Sequence, residues 1–396
     1  MKKVLIIQPW IRLGGAETLA IQLSDKLNDI PGLKSSILTL FVDKFGLPEC
    51  HKNLTVLLPY KPLSRMCEKS PWFRFVFGPI ILLAISLCKS SAFDFLNPHN
   101  APSHWVAAIN KIFFRKPILW TCNEPVNKLT LGKFKFMDYL GSILIDNALD
   151  KLFVRLIDNI IVLDEKNQVR IKEKYGRRAV IVNSGIDFDF FQKSYSIEKT
   201  RKKFHIPKNK TIFLCVGSLV PQKNQIVAIR ALELTKKTAP DFLLIIAGSG
   251  QDRINLEKYA RSNNLTRDII FTGRISNEKL SDLYHLCDAV IFPAINQSWG
   301  LTPLEALCSK KLSIVSSDSG ISEIIAKNNI GLVSDPDEYS FSKKMIAFYK
   351  LKNEHPLNYE DTVSRGQLIV KSNYTWKEYA KKYAEIMLCE KLKKRL

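Results

Sequence analysis

Short apolar runs alternate along this chain with longer amphipathic stretches, and the alternation restarts once, near the middle. The first run, KVLII, ends in a glycine-bearing loop and passes into GAETLAIQLSDKLN, where Leu19, Leu23 and Leu27 fall on one helical face. SSILTLFV, LTVLLPY, FDFLNPHN, PILWTCNEP, DNIIVL and AVIVN follow as short strands closed by turn-forming residues. Strands alternating with helices predict a parallel sheet covered on its faces. The stretch QKSYSIEKTRKKFHIPKNK is polar and basic, has no apolar period until Phe204, and reads as a linker. Beyond it TIFLCVGSL, DFLLIIAGSG, DIIFTGRI, DAVIFPA and LSIVSS open a second series of the same kind. The pattern therefore predicts an α/β chain: one Rossmann-like, doubly wound domain over 1–192, a second over 193–373, and a closing amphipathic helix over 374–396.

Two stretches break the rhythm. From Val126 to Ile157 the chain reads as helical, apolar and dotted with lysines. Trp72 to Cys88 is more apolar still, and Phe75 to Cys88 runs fourteen residues without a charge. That is short of the roughly 18 to 20 residues that span a bilayer, so no crossing is expected. It can be a helix buried against the sheet, or one lying in a membrane interface with Lys69, Arg74 and Lys89 as basic flanks.

Composition narrows the classes. With 396 residues, 46% hydrophobic and 24% charged, the chain suits two folded domains rather than a disordered one. Lys+Arg 59 against Asp+Glu 38 gives a net +21, which predicts a polyanionic partner: nucleic acid, anionic lipid headgroups or a phosphorylated substrate. The basic residues are spread over the whole length without zinc-finger spacing or an RNA-binding signature, so nucleic acid is the weaker reading. Cysteines without metal spacing, several of them (Cys88, Cys215, Cys287, Cys308) inside apolar or helical runs, predict a reduced, cytoplasmic compartment. The opening MKKVLIIQPW resembles a signal peptide only superficially: its apolar run has a strand's length.

The candidate chemistry concentrates in FPAINQSWGLTPLEALCSKKLSIVSSDSGISEI, residues 292–324. A buried strand leads into a polar loop at Gly300 and then into a helix carrying Glu305. Free first-turn N–H groups and the helix dipole make such a junction ready for a phosphate. A second strand, loop and helix start follows at once in LSIVSSDSGISEII. Gly14 and Gly15 form a comparable loop after the first strand, and Gly217, Ser218 and Lys223 another after TIFLCV. Singly, each is as readily a tight turn, a solvated lysine or a first-turn glutamate.

At these residues the chain resembles the retaining family 4 glycosyltransferases, whose mark is two glutamates separated by seven residues. Trp299, Gly300, Leu301, Glu305 and Ala306 fit; Gln297 stands in the place of the first glutamate, Lys310 in that of a glycine, and Ile321 in that of the second of two glycines. GID at Gly185, AGSG and the closing Tyr-Thr-Trp stretch occur in the family's order. The resemblance implies the GT-B architecture, two Rossmann-like domains facing across a cleft with the last helix returning to the first domain. It implies that Glu305 accepts hydrogen bonds from the donor's ribose, and that Lys223 with the amides of Gly300, Leu301 and Thr302 holds a diphosphate. Ser218 replaces the family's arginine, and Asn123 stands where a histidine commonly faces the sugar.

The activity so implied is transfer of a hexose-type sugar, with retention, from a UDP- or GDP-linked donor to a glycan or lipid-linked acceptor. No metal or other cofactor is expected, and the place of work would be the cytoplasmic face of an anionic membrane. The catalytic candidates are Lys223, Gln297, Glu305 and Asn123; the donor-binding set adds Gly14, Gly15, Gly217, Ser218, Trp299, Gly300, Leu301 and Thr302. Two rivals remain: a nucleotide-sugar-binding homologue with little activity, because Asn123, Ser218 and Gln297 replace charged or titratable groups, and a basic nucleic-acid-binding protein of Rossmann type.

Overall fold

The structure is a computed structural model that describes residues 1–12, 14–43, 54–123, 149–236 and 241–389. The chain divides into two compact units, one comprising Met1–Ser184 with Trp376–Leu396, the other Gly185–Thr375. Most of the stretch read as helical from Val126 to Ile157, and the terminal KLKKRL, lie outside the described residues.

In the first unit β1 (Lys2–Ile7), β2 (Leu33–Leu38), β3 (Val56–Leu57) and β4 (Phe95–Pro98) form a parallel sheet in the order β3-β2-β1-β4. β5 (Leu119–Thr121), β6 (Asn159–Val162) and β7 (Val180–Ile181) form a second parallel set. Parallel bridges Leu96↔Ile118 and His99↔Thr121 join β4 to β5, so the two sets run on as one surface. Leu19, Leu23 and Leu27 of the helix Gly15–Asn28 are buried, as their spacing requires. The last helix, Trp376–Leu388, packs on that helix, and Tyr383 reaches Thr121 with its hydroxyl 2.9 Å from Oγ1. Tyr379 and Tyr383 are both buried there.

The second unit is a six-stranded parallel sheet: β8 (Thr211–Val216), β9 (Phe242–Ala247), β10 (Ile269–Gly273), β11 (Ala289–Phe292), β12 (Leu312–Ser316) and β13 (Leu332–Ser334). Their order, β10-β9-β8-β11-β12-β13, is doubly wound, with its switch point between β8 and β11. All six residues of β9, FLLIIA, are buried, which is why it reads as a continuous apolar run and not as an alternation. The helices Gln225–Thr235 and Glu338–Glu354 pack together, and Phe341, Met345 and Phe348 join the core beside Phe213. Burying each such side chain contributes roughly 1.5–3 kcal/mol.

Two local findings differ from the sequence pattern. The polar stretch before Phe204 contains the helix Ile197–Lys203. It is tied down by Asp282, whose carboxylate accepts from Tyr195 N (2.7 Å), Ser196 N (2.9 Å) and Thr200 Oγ1 (2.8 Å). Cys88 is exposed, whereas Cys215, Cys287 and Cys308 are buried, and all four are free. The apolar stretch forms the helix Pro71–Lys89, with Pro79 inside it, and in agreement with the sequence expectation no described helix is long and apolar enough to cross a membrane.

Candidate functional site

In the second unit the switch point leaves a crevice at the carboxyl ends of β8 and β11, and the loops leaving those strands close on each other. Ile295 N donates to Gln222 O at 2.9 Å, and Lys223 Nζ donates to Gln297 Oε1 at 2.5 Å. The Lys223 ammonium also lies 5.7 Å from the centroid of the Phe292 ring. Two candidates 74 residues apart thus meet across the switch point. With Oε1 accepting from Lys223, the Gln297 amide keeps its NH2 as a donor.

Glycine makes this approach possible. Gly217 N donates to Ala247 O and Leu219 N to Ser249 O, so the AGSG loop is laid directly on the loop after β8. Gly248 has φ +152, and a Cβ there would stand 1.9 Å from Gly217 O, which no side chain can satisfy. The neighbouring loop after β11 is held by Gly320 N donating to Gln297 O and by Asn296 N donating to Asp318 Oδ2.

Gly300 begins the helix Leu301–Cys308 in an extended conformation with no side-chain cap. Its first-turn amides, those of Leu301 and Thr302 included, are the kind of group that binds an anion. Glu305 follows on the same helix, half-buried, with Oε2 accepting from the Tyr284 hydroxyl. Desolvation pushes the Glu305 carboxyl up to about 7, against the lowering effect of Tyr284. Burial and the Glu305 charge together push the Tyr284 phenol well above its ordinary range. Trp299 is buried against Tyr374, ring centroids 5.9 Å apart, and its indole Nε1 has no partner among the described residues.

In the first unit Gly14 precedes the helix Gly15–Asn28, and its carbonyl accepts from both the amide and the hydroxyl of Thr18. The carboxyl ends of β1, β4 and β5, neighbours in the sheet, bear Gln8, His99 and Asn123. Gln8 Oε1, His99 Nδ1 and both amide atoms of Asn123 are buried without partners among the described residues. Asn97 uses its NH2 on Leu119 O and Thr121 Oγ1, so its Oδ1 faces His99 Nε2 at 3.0 Å and fixes the proton there. Burial lowers the His99 imidazole to about 3. It is therefore neutral at ordinary pH, with Nδ1 as an open acceptor. Unpaired buried polar atoms cost about 1–3 kcal/mol each, and a row of them at the sheet's carboxyl edge suits a ligand rich in hydroxyls.

Residues 196–365 match the family described as glycosyl transferases group 1. The second unit belongs to that family. Across its whole length the chain has the fold of solved glycosyltransferases. It superposes on Alr3699/HepE of Anabaena, in complex with UDP and glucose, with a TM-score of 0.75 at 18% identity, over 98% of this chain and 99% of that one. It superposes on WaaG, a glycosyltransferase of lipopolysaccharide biosynthesis, with a TM-score of 0.69 at 15% identity, over 97% and 99%. The architecture is therefore GT-B. Among curated sequences, a glycogen synthase of Mycobacterium tuberculosis is 24% identical over 62% of this chain and 57% of its own length. The uncharacterized glycosyltransferase YqgM of Bacillus subtilis is 21% identical over 47% and 49%. The chain thus spans about half the length of the curated relatives it matches.

Within this group 1 glycosyltransferase unit the fold assembles Gly217, Ser218, Lys223, Gln297, Gly300, Leu301, Thr302 and Glu305 around the ends of two adjacent strands. The Trp299 ring goes into the core. Gly14, Gly15 and Asn123 belong to the other unit. Sequence reasoning missed Tyr284, Gln8 and His99. Tyr284 lies on the helix Asn277–Leu286 inside an ordinary amphipathic pattern, so nothing local marks it. His99 could have been found as a polar residue closing the buried strand β4.

Proposed function

We propose that the protein is a retaining glycosyltransferase that takes a hexose-type sugar from a nucleoside-diphosphate donor to a glycan or lipid-linked acceptor at the cytoplasmic face of a membrane. The observation that carries this is the convergence, at one switch point, of the Lys223–Gln297 pair, the uncapped helix start at Gly300 and Glu305. Glu305 accepts from the ribose hydroxyls, while Lys223 and the amides of Leu301 and Thr302 hold the diphosphate. The UDP and UDP-glucose bound by structural neighbours favour UDP as the nucleotide.

In the reaction the bond between the sugar's anomeric carbon and the diphosphate oxygen breaks, and the acceptor oxygen bonds to that carbon from the same face. The acceptor's proton passes to the departing phosphate. Charge grows on the leaving diphosphate, where Lys223 and the helix start lower its energy, an effect of several kcal/mol for well-placed donors. The Gln297 NH2 is placed to donate to the phosphate or a sugar hydroxyl, and Gln8, His99 and Asn123 supply unpaired groups for the acceptor side.

Calorimetry with UDP and GDP tests the donor site. Glu305→Ala and Lys223→Ala should each weaken binding of the preferred nucleotide by about 1.5–3 kcal/mol, the worth of a hydrogen bond to a charged group. Unchanged affinity in both variants removes the assignment.

One observation bears on the rival reading, a binding protein with little transferase activity: a neutral amide contacts Lys223 where the resembled enzymes carry a carboxylate. Gln297→Glu separates the two. A carboxylate at this position would pair with Lys223 and draw it from the diphosphate, so a working enzyme should lose kcat and nucleotide affinity. A rise in kcat of tenfold or more, about 1.4 kcal/mol of barrier, would favour the rival.

A further inference from the structure

The helix Pro71–Lys89 is apolar on its outward face as well as on the face that meets the core. Leu82 and Ser86, four residues apart, are buried, and Gly78 is buried on the same side, where a Cβ would meet Leu40 Cδ1 at 2.9 Å. Asn110, on the helix Ser103–Phe114, donates to Ser86 Oγ at 2.7 Å and accepts from Ser90 Oγ at 2.7 Å. These contacts fix which face is inward. The outward face should then be polar, as on an ordinary surface helix. Instead it carries Trp72, Val76, Ile80, Ala84 and Cys88, every fourth residue, all exposed. Trp72 is 69% exposed and Ile80 59%, and the Phe77 ring, itself exposed, lies edge-on to Trp72 at 6.2 Å. At 1.5 Å per residue the stripe is about 24 Å long.

Charge surrounds this stripe on one sign. The preceding helix, Lys61–Lys69, exposes Lys61, Arg65 and Lys69, Tyr60 just before it is 76% exposed, and Lys89 closes the stripe. Glu68 is the sole acidic residue across 61–89. A second copy of the chain laid on this face would bring like charges together, on a protein already at net +21. An anionic lipid surface takes both features at once: headgroups pair with the lysines and arginine while the apolar stripe enters the acyl boundary.

We propose that the outward face of Pro71–Lys89, with the basic residues of Lys61–Lys69, docks the protein on an anionic bilayer with the helix lying in the interface. Trp72 and Tyr60 sit at headgroup depth, where amphipathic rings are favoured. Val76, Ile80 and Ala84 supply the apolar insertion, and Lys61, Arg65, Lys69 and Lys89 supply the attraction. The docking deepens the membrane placement of the proposed function and rests on it, but it is independent of the donor site, because none of these residues belongs to the second unit.

Co-sedimentation of the full chain with vesicles tests it, comparing phosphatidylcholine alone with phosphatidylcholine containing phosphatidylglycerol. The expected result is at least tenfold tighter binding to the mixed vesicles, weakening as salt is raised. Ile80→Glu should lower that binding at least tenfold with the melting temperature unchanged. Should Ile80→Glu melt lower, Trp72→Gln, at a still more exposed position, is read in its place. A Lys61→Glu, Arg65→Glu double variant should lose the preference for anionic vesicles. No binding to mixed vesicles, equal binding to both kinds, or full binding by a folded stripe variant overturns the proposal. So does a dimer in the wild type, seen by analytical ultracentrifugation, that Ile80→Glu dissociates, since a second copy would then be the occupant. Loss of UDP binding with vesicle binding intact would count against the donor site alone.

Discussion

Glu305 shows how far one side chain's chemistry depends on its neighbours. The pattern placed it on the helix after Gly300 and read it as a first-turn acid, whereas it is the fifth residue of Leu301–Cys308, and nothing local showed that Tyr284 donates to it or that burial holds its carboxyl up to about 7. A ribose hydroxyl prefers an ionised acceptor, so nucleotide affinity should rise as pH increases through about 7 and flatten above it. Tyr284→Phe removes a bond that favours the ionised form and should move that midpoint upward, while Glu305→Gln should make the profile flat. Isothermal titration of UDP across this range reads all three. Stability runs the other way. Because folding raises this carboxyl above its ordinary 4.5, its contribution to stability is full below that value and is lost as pH rises through about 7. Lys223 was legible as a candidate from its register with a strand and a glycine, and Gln297 from the resemblance, where it stands in the place of the first glutamate. Their direct contact was not, since it joins residues 74 positions apart.

At the scale of elements, the apolar runs identified the strands because a parallel strand buried on both faces needs them, and β9 and β11 are wholly buried. What each loop does depended on its neighbour. The AGSG motif reads locally as a turn, yet its role is to let β9's exit lie on that of β8. Gly248→Ala therefore meets both a φ of +152 and a backbone oxygen. It should cost well over 1 kcal/mol, by thermal melting, and weaken UDP binding by moving the Gly217–Lys223 loop. An unchanged melting curve would mean the loops separate without loss. The helix Ile197–Lys203 escaped sequence reading for a related reason: polar ligation by Asp282, rather than an apolar stripe, fixes it.

For the whole molecule, two separate apolar cores, one around Phe213, Leu244 and Phe348 and one around Leu5, Leu96 and Trp120, make each unit a candidate cooperative block. Scanning calorimetry with UDP should raise the transition of the second unit, by about 2.7 kcal/mol at a hundredfold excess over Kd, and leave that of the first in place. Equal shifts of both would show one cooperative block. The sequence by itself determined the α/β class, the repeat of two strand-and-helix series and the glycosyltransferase resemblance, because hydrophobic period and turn chemistry are local properties of the chain. The resemblance already implied that the last helix returns to the first unit; only the tertiary structure decided that Tyr383 holds it there, that Lys223 meets Gln297, and that Pro71–Lys89 turns apolar residues outward. Each of these is set by which surfaces meet, and a helix apolar on every side carries no period to say which side faces the core.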